Sequence, residues 1–254
     1  MAVFLAIGVV SGLFNGMSSV GGSLFASFSL IAVPPLAFGE TLSMLVVGTY
    51  SAAVSLVSAA TGFLGYWRKR GVKWDLILTV GMSAMVGSVA GTRVAFVLGN
   101  RILMLVLTGV LVVSWWIFLH PVESNRNRTK LAVPAALGIG LGVGILGGML
   151  GVGAGFLLLP LSVGILGLPI RDAIVNSLAG GFLISIATLF TRVPALAIDW
   201  TDMAGLLVGA MIGARIGVRL NQLSSERLLS RVSAVLLLLI TVDTGFKTAL
   251  LWVR

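Results

Sequence analysis

Gly147-Gly-Met-Leu-Gly-Val-Gly-Ala-Gly155 lies in the middle of an otherwise unbroken apolar block running from Leu131 to Leu168. Asn15-Gly-Met-Ser-Ser-Val-Gly-Gly-Ser23 lies in the middle of another, from Val3 to Leu36. As continuous helices, blocks of that length would reach roughly 50 Å at 1.5 Å per residue, against a bilayer core of about 30 Å. Each glycine weakens a helix by about 1 kcal/mol relative to alanine, so a cluster of them breaks it. What remains on either side is an apolar arm that reaches only mid-membrane. Pro34 and Pro35 in the first block, and Pro160 and Pro169 in the second, are expected to interrupt or end the returning arm. Two arrangements satisfy these lengths: a spanning helix unwound at its middle, or a re-entrant hairpin that enters and leaves on one side.

The rest of the chain explains why a bilayer is the reference at all. Of 254 residues, 58% are apolar and 10% charged, and the mean hydropathy is +1.11. Soluble domains carry roughly 45–50% apolar and about 25% charged residues. This composition excludes a soluble enzyme, a nucleic-acid binder and a disordered protein. Apolar stretches of twenty or more residues also exclude a β-barrel, whose strands alternate over about ten residues. The fold class is an all-α polytopic membrane protein. With no cysteine, disulfides and thiolate metal sites are absent. The start Met1-Ala-Val-Phe4 lacks a basic region and cleavage site, so the first segment is expected to be retained.

Further apolar blocks span Thr41–Trp67, Trp74–Leu98, Ile102–Leu119, Ala173–Phe190, Met203–Val218 and Leu228–Leu251. The most polar stretch, around residues 121–130, divides a first membrane repeat at 1–120 from a second at 131–254. Gly12, Gly16 and Met17 precede Gly144, Gly148 and Met149 by 132 positions. Further on the offset is 126: Trp74 pairs with Trp200, Arg101 with Arg227, and the pattern Gly87, Gly91, Arg93 with Gly213, Gly217, Arg219. Duplicated halves are the usual architecture of secondary transporters.

Charge distinguishes the two arrangements. The net charge of +9 is read as the Lys and Arg excess of cytoplasmic loops rather than as nucleic-acid affinity. Two hairpins plus six full spans put Arg68, Arg126, Arg171, Arg227 and most other basic residues on one side. Arg93, Arg101, Arg192, Lys247 and Arg254 fall on the other, a better separation than eight spans achieve. The expectation is therefore two inverted repeats, each a broken or re-entrant Gly-rich hairpin plus three transmembrane helices. Both termini are placed outside a prokaryotic inner (cytoplasmic) membrane.

Unwound backbone within a bilayer is tolerated where it is buried in protein or lines a cavity. Its free N–H groups and the helix N-termini beside it favour an anion. The substrate-binding candidates are Ser18, Ser19, Gly21, Gly22 and Ser23 at the first break and Gly151, Gly153 and Gly155 at the second. Asn176, Ser177 and Thr49 stand on the helices that follow. Charges inside the blocks are costly, which marks Asp243, Arg93 and Arg219 for ion coupling or anion attraction. For Gly8, Gly12, Gly87, Gly91, Gly213 and Gly217, close helix packing is the simpler reading. The expected partners are a small anionic substrate and the lipid bilayer, with no cofactor and no nucleic acid; pairing into a homodimer is left open. The competing class, an intramembrane enzyme acting on a lipid-linked phosphate, needs clustered acids, histidine or metal. Here Glu40, Glu123 and Glu226 lie near block ends and His120 is the sole histidine.

The second motif, Gly151-Val-Gly-Ala-Gly155-Phe-Leu-Leu-Leu-Pro160, followed by Gly167-Leu-Pro169 and Asn176-Ser-Leu178, resembles the TauE/SafE family of sulfite and sulfonate exporters. The first copy departs from that pattern, reading Ser19-Val-Gly-Gly-Ser23, with Met44-Leu-Val46 in place of the polar pair. The resemblance covers essentially the whole chain in block order. It implies a permease for small oxygen-rich sulfur anions, sulfite or an organosulfonate.

Overall fold

A computed structural model describes residues 1–20, 22–38, 42–67, 72–119, 133–153, 155–164, 168–196 and 198–253. The linker expected at 121–130 and the basic cluster at 68–70 lie outside them, as does Gly21. Among the described residues ten α-helices follow one another, five in each half. They are α1 (Ala2–Ser18), α2 (Gly22–Phe38), α3 (Met44–Tyr66), α4 (Trp74–Val97) and α5 (Asn100–Leu119), then α6 (Val133–Leu150), α7 (Gly155–Gly164), α8 (Ile170–Arg192), α9 (Trp200–Leu223) and α10 (Glu226–Val253). The described residues contain no strand. The register read from the sequence reappears in the helix bounds: α3 and α8 are each 23 residues long and α4 and α9 each 24, both pairs 126 positions apart.

The most extensive helix contacts are α1 on α9 and α4 on α6, each pairing one half's first helix with the other's fourth. Glycine makes both possible. Gly8, Gly12 and Gly16 lie against the backbone at Leu206, Ala210 and Ala214, and Gly140, Gly144 and Gly148 against that at Val80, Ala84 and Ser88. A Cβ at any of these would strike main chain, so the expected close-packing role of Gly12, Gly87, Gly91, Gly213 and Gly217 is what the geometry shows. Between apolar helices in lipid, such close approach supplies the van der Waals contact that hydrophobicity cannot.

The order of these contacts gives helix directions. In both pairs the residue numbers rise together, so α1 runs with α9 and α6 with α4. Tyr50 meets Asp199 and Tyr66 meets Gly16, which aligns α3 with α9 and α1. Gly62 faces Leu178 while Gly48 faces Arg192, which sets α8 against α3. Helices α1, α3 and α9 thus run one way, and α4, α6 and α8 the other.

Helices α1 and α2 form a hairpin, with Gly22 against Asn15 and the rings of Phe14 and Phe25 5.6 Å apart. Helix α6 is followed by α7, which runs back along α8 rather than against α6, with Leu158 against Gly180. Seven of the described helices are long and apolar enough to cross a membrane, α6 among them. Packing places its end inside, however: Gly148 lies beside Ser88 and Thr92, while α4 continues to Val97. Two proline expectations are corrected. Helix α2 runs through Pro34 and Pro35 to Phe38, and Pro160 sits within α7. Pro160 forfeits the one ladder bond its N–H would have made to the carbonyl of Phe156, and the short helix carries on past it. Pro169 does stand at a boundary, as the N-cap of α8.

Candidate functional site

The two hairpin turns meet in the interior. In the first, α1 ends at Ser18 and Ser19 adopts a left-handed conformation (φ 57°), its N–H donating to the carbonyl of Asn15 at 2.8 Å. In the second, Gly151 and Gly153 take φ of 72° and 61°, which glycine adopts without the steric cost of a Cβ. Ser23 Oγ donates to the carbonyl of Val152 at 2.5 Å, and a Cβ on Gly155 would lie 2.6 Å from the carbonyl oxygen of Ser19. Glycine at 155 and 181 therefore lets the turns close on each other and on α8.

Two features of this junction suit an anion. Helices α2 and α7 both begin here, so their N-terminal N–H groups and positive dipole ends lie at the same place. The hydroxyls of Ser19, Ser177 and Ser185 are buried, at 3%, 1% and 0% exposure, and have no hydrogen-bond partner. Ser177, Gly181 and Ser185 share one face of α8 by their four-residue spacing. Ser55 and Ser185 both approach Gly153. A buried hydroxyl left unbonded costs about 1–3 kcal/mol, and an oxyanion would satisfy several at once.

The carbonyl end of each broken helix is held differently. Tyr66 Oη donates to the carbonyl of Gly16 at 2.8 Å, and Asn221 Nδ2 to that of Met17 at 2.6 Å. At the corresponding place in the second half, Arg192 Nη2 donates to the carbonyls of Gly148 and Met149, both at 2.8 Å, and Nη1 to that of Leu45 at 3.1 Å. Arg192 is fully buried, and its Nε has no hydrogen-bond partner. Tyr66 and Arg192 are equivalent under the 126-residue offset, as Gly16 and Gly148 are under that of 132. Sequence reasoning counted Arg192 only as a topological charge. Carrying the repeat register to the ends of α3 and α8 would have paired it with Tyr66.

The other candidates are engaged with backbone or lie away from the junction. Ser18 and Thr49 donate to carbonyls one turn back in their own helices, at Phe14 and Leu45. Asn176 accepts from the N–H of Lys73 and donates to the carbonyl of Asp172, fastening the start of α4 to α8. Because α3 and α8 align at an offset of 126, its equivalent is Tyr50 and not Met44 as the sequence suggested, and Tyr50 holds the backbone of Asp199 before α9 in the same manner. Asn176 also lines a partly open, largely apolar pocket with Leu76, Val80, Leu158 and Leu161. Arg93 and Arg219 are exposed on the outer faces of α4 and α9. Asp243 pairs with Lys247 at 3.0 Å on α10. No group of three or more His, Cys, Asp or Glu able to hold a metal occurs among the described residues.

Comparison with known proteins converges on the same class. The chain is 23% identical over 250 residues to a "Probable membrane transporter protein" of Xylella fastidiosa (strain 9a5c), covering 95% of this chain and 94% of that protein. A "Probable membrane transporter protein" from strain Temecula1 / ATCC 700964 is 24% identical over the same shares. The family described as "Sulfite exporter TauE/SafE" matches residues 4–244. With that match spanning nearly every helix of a buried double hairpin, the chain belongs to the TauE/SafE family of membrane transporters and not to the enzymes.

Proposed function

We propose that the chain is a secondary permease for a small sulfur oxyanion, sulfite or an organosulfonate, held where the two hairpin turns meet. The observation that carries this reading is the convergence of two helix N-termini with unpartnered buried hydroxyls at one point. The family's description supplies the sulfur chemistry. The guanidinium of Arg192, bonded to carbonyls at the end of α6 and to that of Leu45 on α3, adds positive potential beside the second turn. We read the halves as inverted repeats, since α1 and α6, the descending arms, run in opposite directions. The end bearing Arg171 and Arg227 is then cytoplasmic, and both termini face outward from the inner membrane. Anion passage follows if one hairpin rocks away from the other and breaks the Ser23–Val152 contact.

Flux into liposomes carrying the purified chain tests this, with sulfite, methanesulfonate, sulfate and acetate in parallel. The expected result is saturable flux of the sulfur anions. Replacing Ser185 by Ala is expected to weaken affinity several-fold without lowering stability, since that hydroxyl has no partner to lose. Transport of acetate alone, or of none of the four, overturns the reading.

A further inference from the structure

We propose that the cavity between α2, α5 and α10 is a proton-coupling site, with Asp243 as the carboxylate that takes up the proton. The inference rests on the transport reading above and names what drives it.

The cavity is narrow, open on one side, and lined by Ser27, Phe28, Leu107, Asp243, Thr244 and Lys247 among others. Asp243 and Lys247 lie well inside the apolar length of α10, where charges are costly and persist mainly for function. Their side chains remain a third and a quarter exposed, although the Asp243 oxygen turned toward Lys247 is itself buried. Lys247 Nζ also stands 4.2 Å from the centroid of the Phe28 ring on α2.

An i,i+4 pair could serve helix stability alone, but the repeat argues otherwise. The position equivalent to Asp243 is Ile117, which packs against Gly164 of α7. The fold closes this corner with an apolar side chain in one half, so the carboxylate in the other is not required by packing. The two other described ion pairs, Met1–Asp202 and Arg171–Glu226, lie at helix ends.

Few other charges bear on the site. Helices α1 and α2 carry none, and α5 carries only Arg101 near its start. Helix α8 carries Arg171 and Asp172 at its start and Arg192 at its end. Lys247 is therefore the group that faces Asp243. A metal cation needs a cage of oxygen ligands, and a single carboxylate already held by an ammonium does not provide one. A proton needs only the carboxylate. It adds to a carboxylate oxygen of Asp243, the ion pair opens, and the site passes from neutral to a net charge of +1.

The route from this event to the anion is short. Ser27, in the cavity wall, shares a hydrogen bond of 2.7 Å with Ser51 of α3. One turn earlier on α2, Ser23 holds the second hairpin turn through Val152. Release of Lys247 from Asp243 alters its seat over Phe28, and with it the helix that closes the two turns.

The test uses liposomes and methanesulfonate, which stays ionised throughout the working pH range. In the wild type, an imposed pH gradient is expected to drive accumulation beyond equilibration. In Asp243→Asn the driven accumulation is expected to fall at least about tenfold, within the range of coupling between two sites. Downhill exchange of the same anion should persist in that variant. The double variant Asp243→Asn/Lys247→Met, which leaves no unpaired charge, should behave in the same way. Difference infrared spectra of the protein at high and low pH should show a protonated-carboxyl band that the Asn variant lacks. An unchanged driven accumulation in Asp243→Asn overturns the proposal, as does a sodium gradient replacing the proton gradient. Absence of downhill flux in the wild type would overturn the transport reading itself; a missing band with flux intact overturns only the coupling site.

Discussion

The two hairpin turns occupy equivalent places and close against each other, yet they are built from different chemistry. The first is rich in hydroxyls, forces Ser19 into a left-handed conformation and has its carbonyls capped by the neutral side chains of Tyr66 and Asn221. The second uses Gly151 and Gly153 for its positive φ angles and is capped by a buried arginine. A helix ending inside a membrane protein leaves carbonyls that must find donors, and both turns meet that demand. Since a tyrosine hydroxyl and an amide suffice on one side, the charge on the other is more than the fold requires. The asymmetry separates what the architecture needs from what the ligand is proposed to need.

The sharpest way to break the comparison is Gly153→Val. A branched side chain at φ 61° is strained, and its Cβ would strike Ser55 and Ser185. Loss of anion binding is expected, with a stability loss of about 2–4 kcal/mol, read by flux and thermal unfolding in detergent. Gly21, its counterpart by the 132 offset, is outside the described residues. Next come the caps. Arg192→Met removes donors from three buried carbonyls and is expected to cost about 3 kcal/mol or more, whereas Tyr66→Phe leaves one carbonyl short and should cost about 1–3 kcal/mol. If charge serves the anion, Arg192→Tyr should recover much of the stability without recovering affinity. Equal affinity in wild type and Arg192→Tyr would make the two caps interchangeable. The smallest expected effect is that of Ser19→Gly, which relieves a left-handed serine worth about 1 kcal/mol. It should raise the unfolding temperature slightly while weakening anion binding through the lost hydroxyl.

Much of this was legible beforehand because it is a matter of solvent and spacing. The excess length of the blocks around Gly16 and Gly148 implied buried breaks, and the offsets of 132 and 126 residues located the starts of equivalent helices to within a residue. The roles of Asn176 and Arg192 were not legible. Asn176 sits beside Ser177 in a motif, but its amide is spent on the backbone of Lys73, as Tyr50 is on Asp199. One position of rotation on α8 separates a fastening from a candidate ligand. Arg192 reads as an interfacial charge because it ends an apolar helix next to Val193 and Pro194. Only the folded chain brings the ends of α6 and α3 to it.

By itself, the sequence determined the solvent, the helical class, the matched spacing of the helices in the two halves and the places where helices must break. Those follow from free energies that add residue by residue, in transfer to lipid and in backbone conformational preference. The tertiary structure decided that the breaks are hairpins meeting face to face, which hydroxyls are left without partners, and that α6 stops short of the far end of α4. Those depend on which carbonyl lies within 3 Å of which donor, and such contacts exist only once residues more than a hundred positions apart have come together.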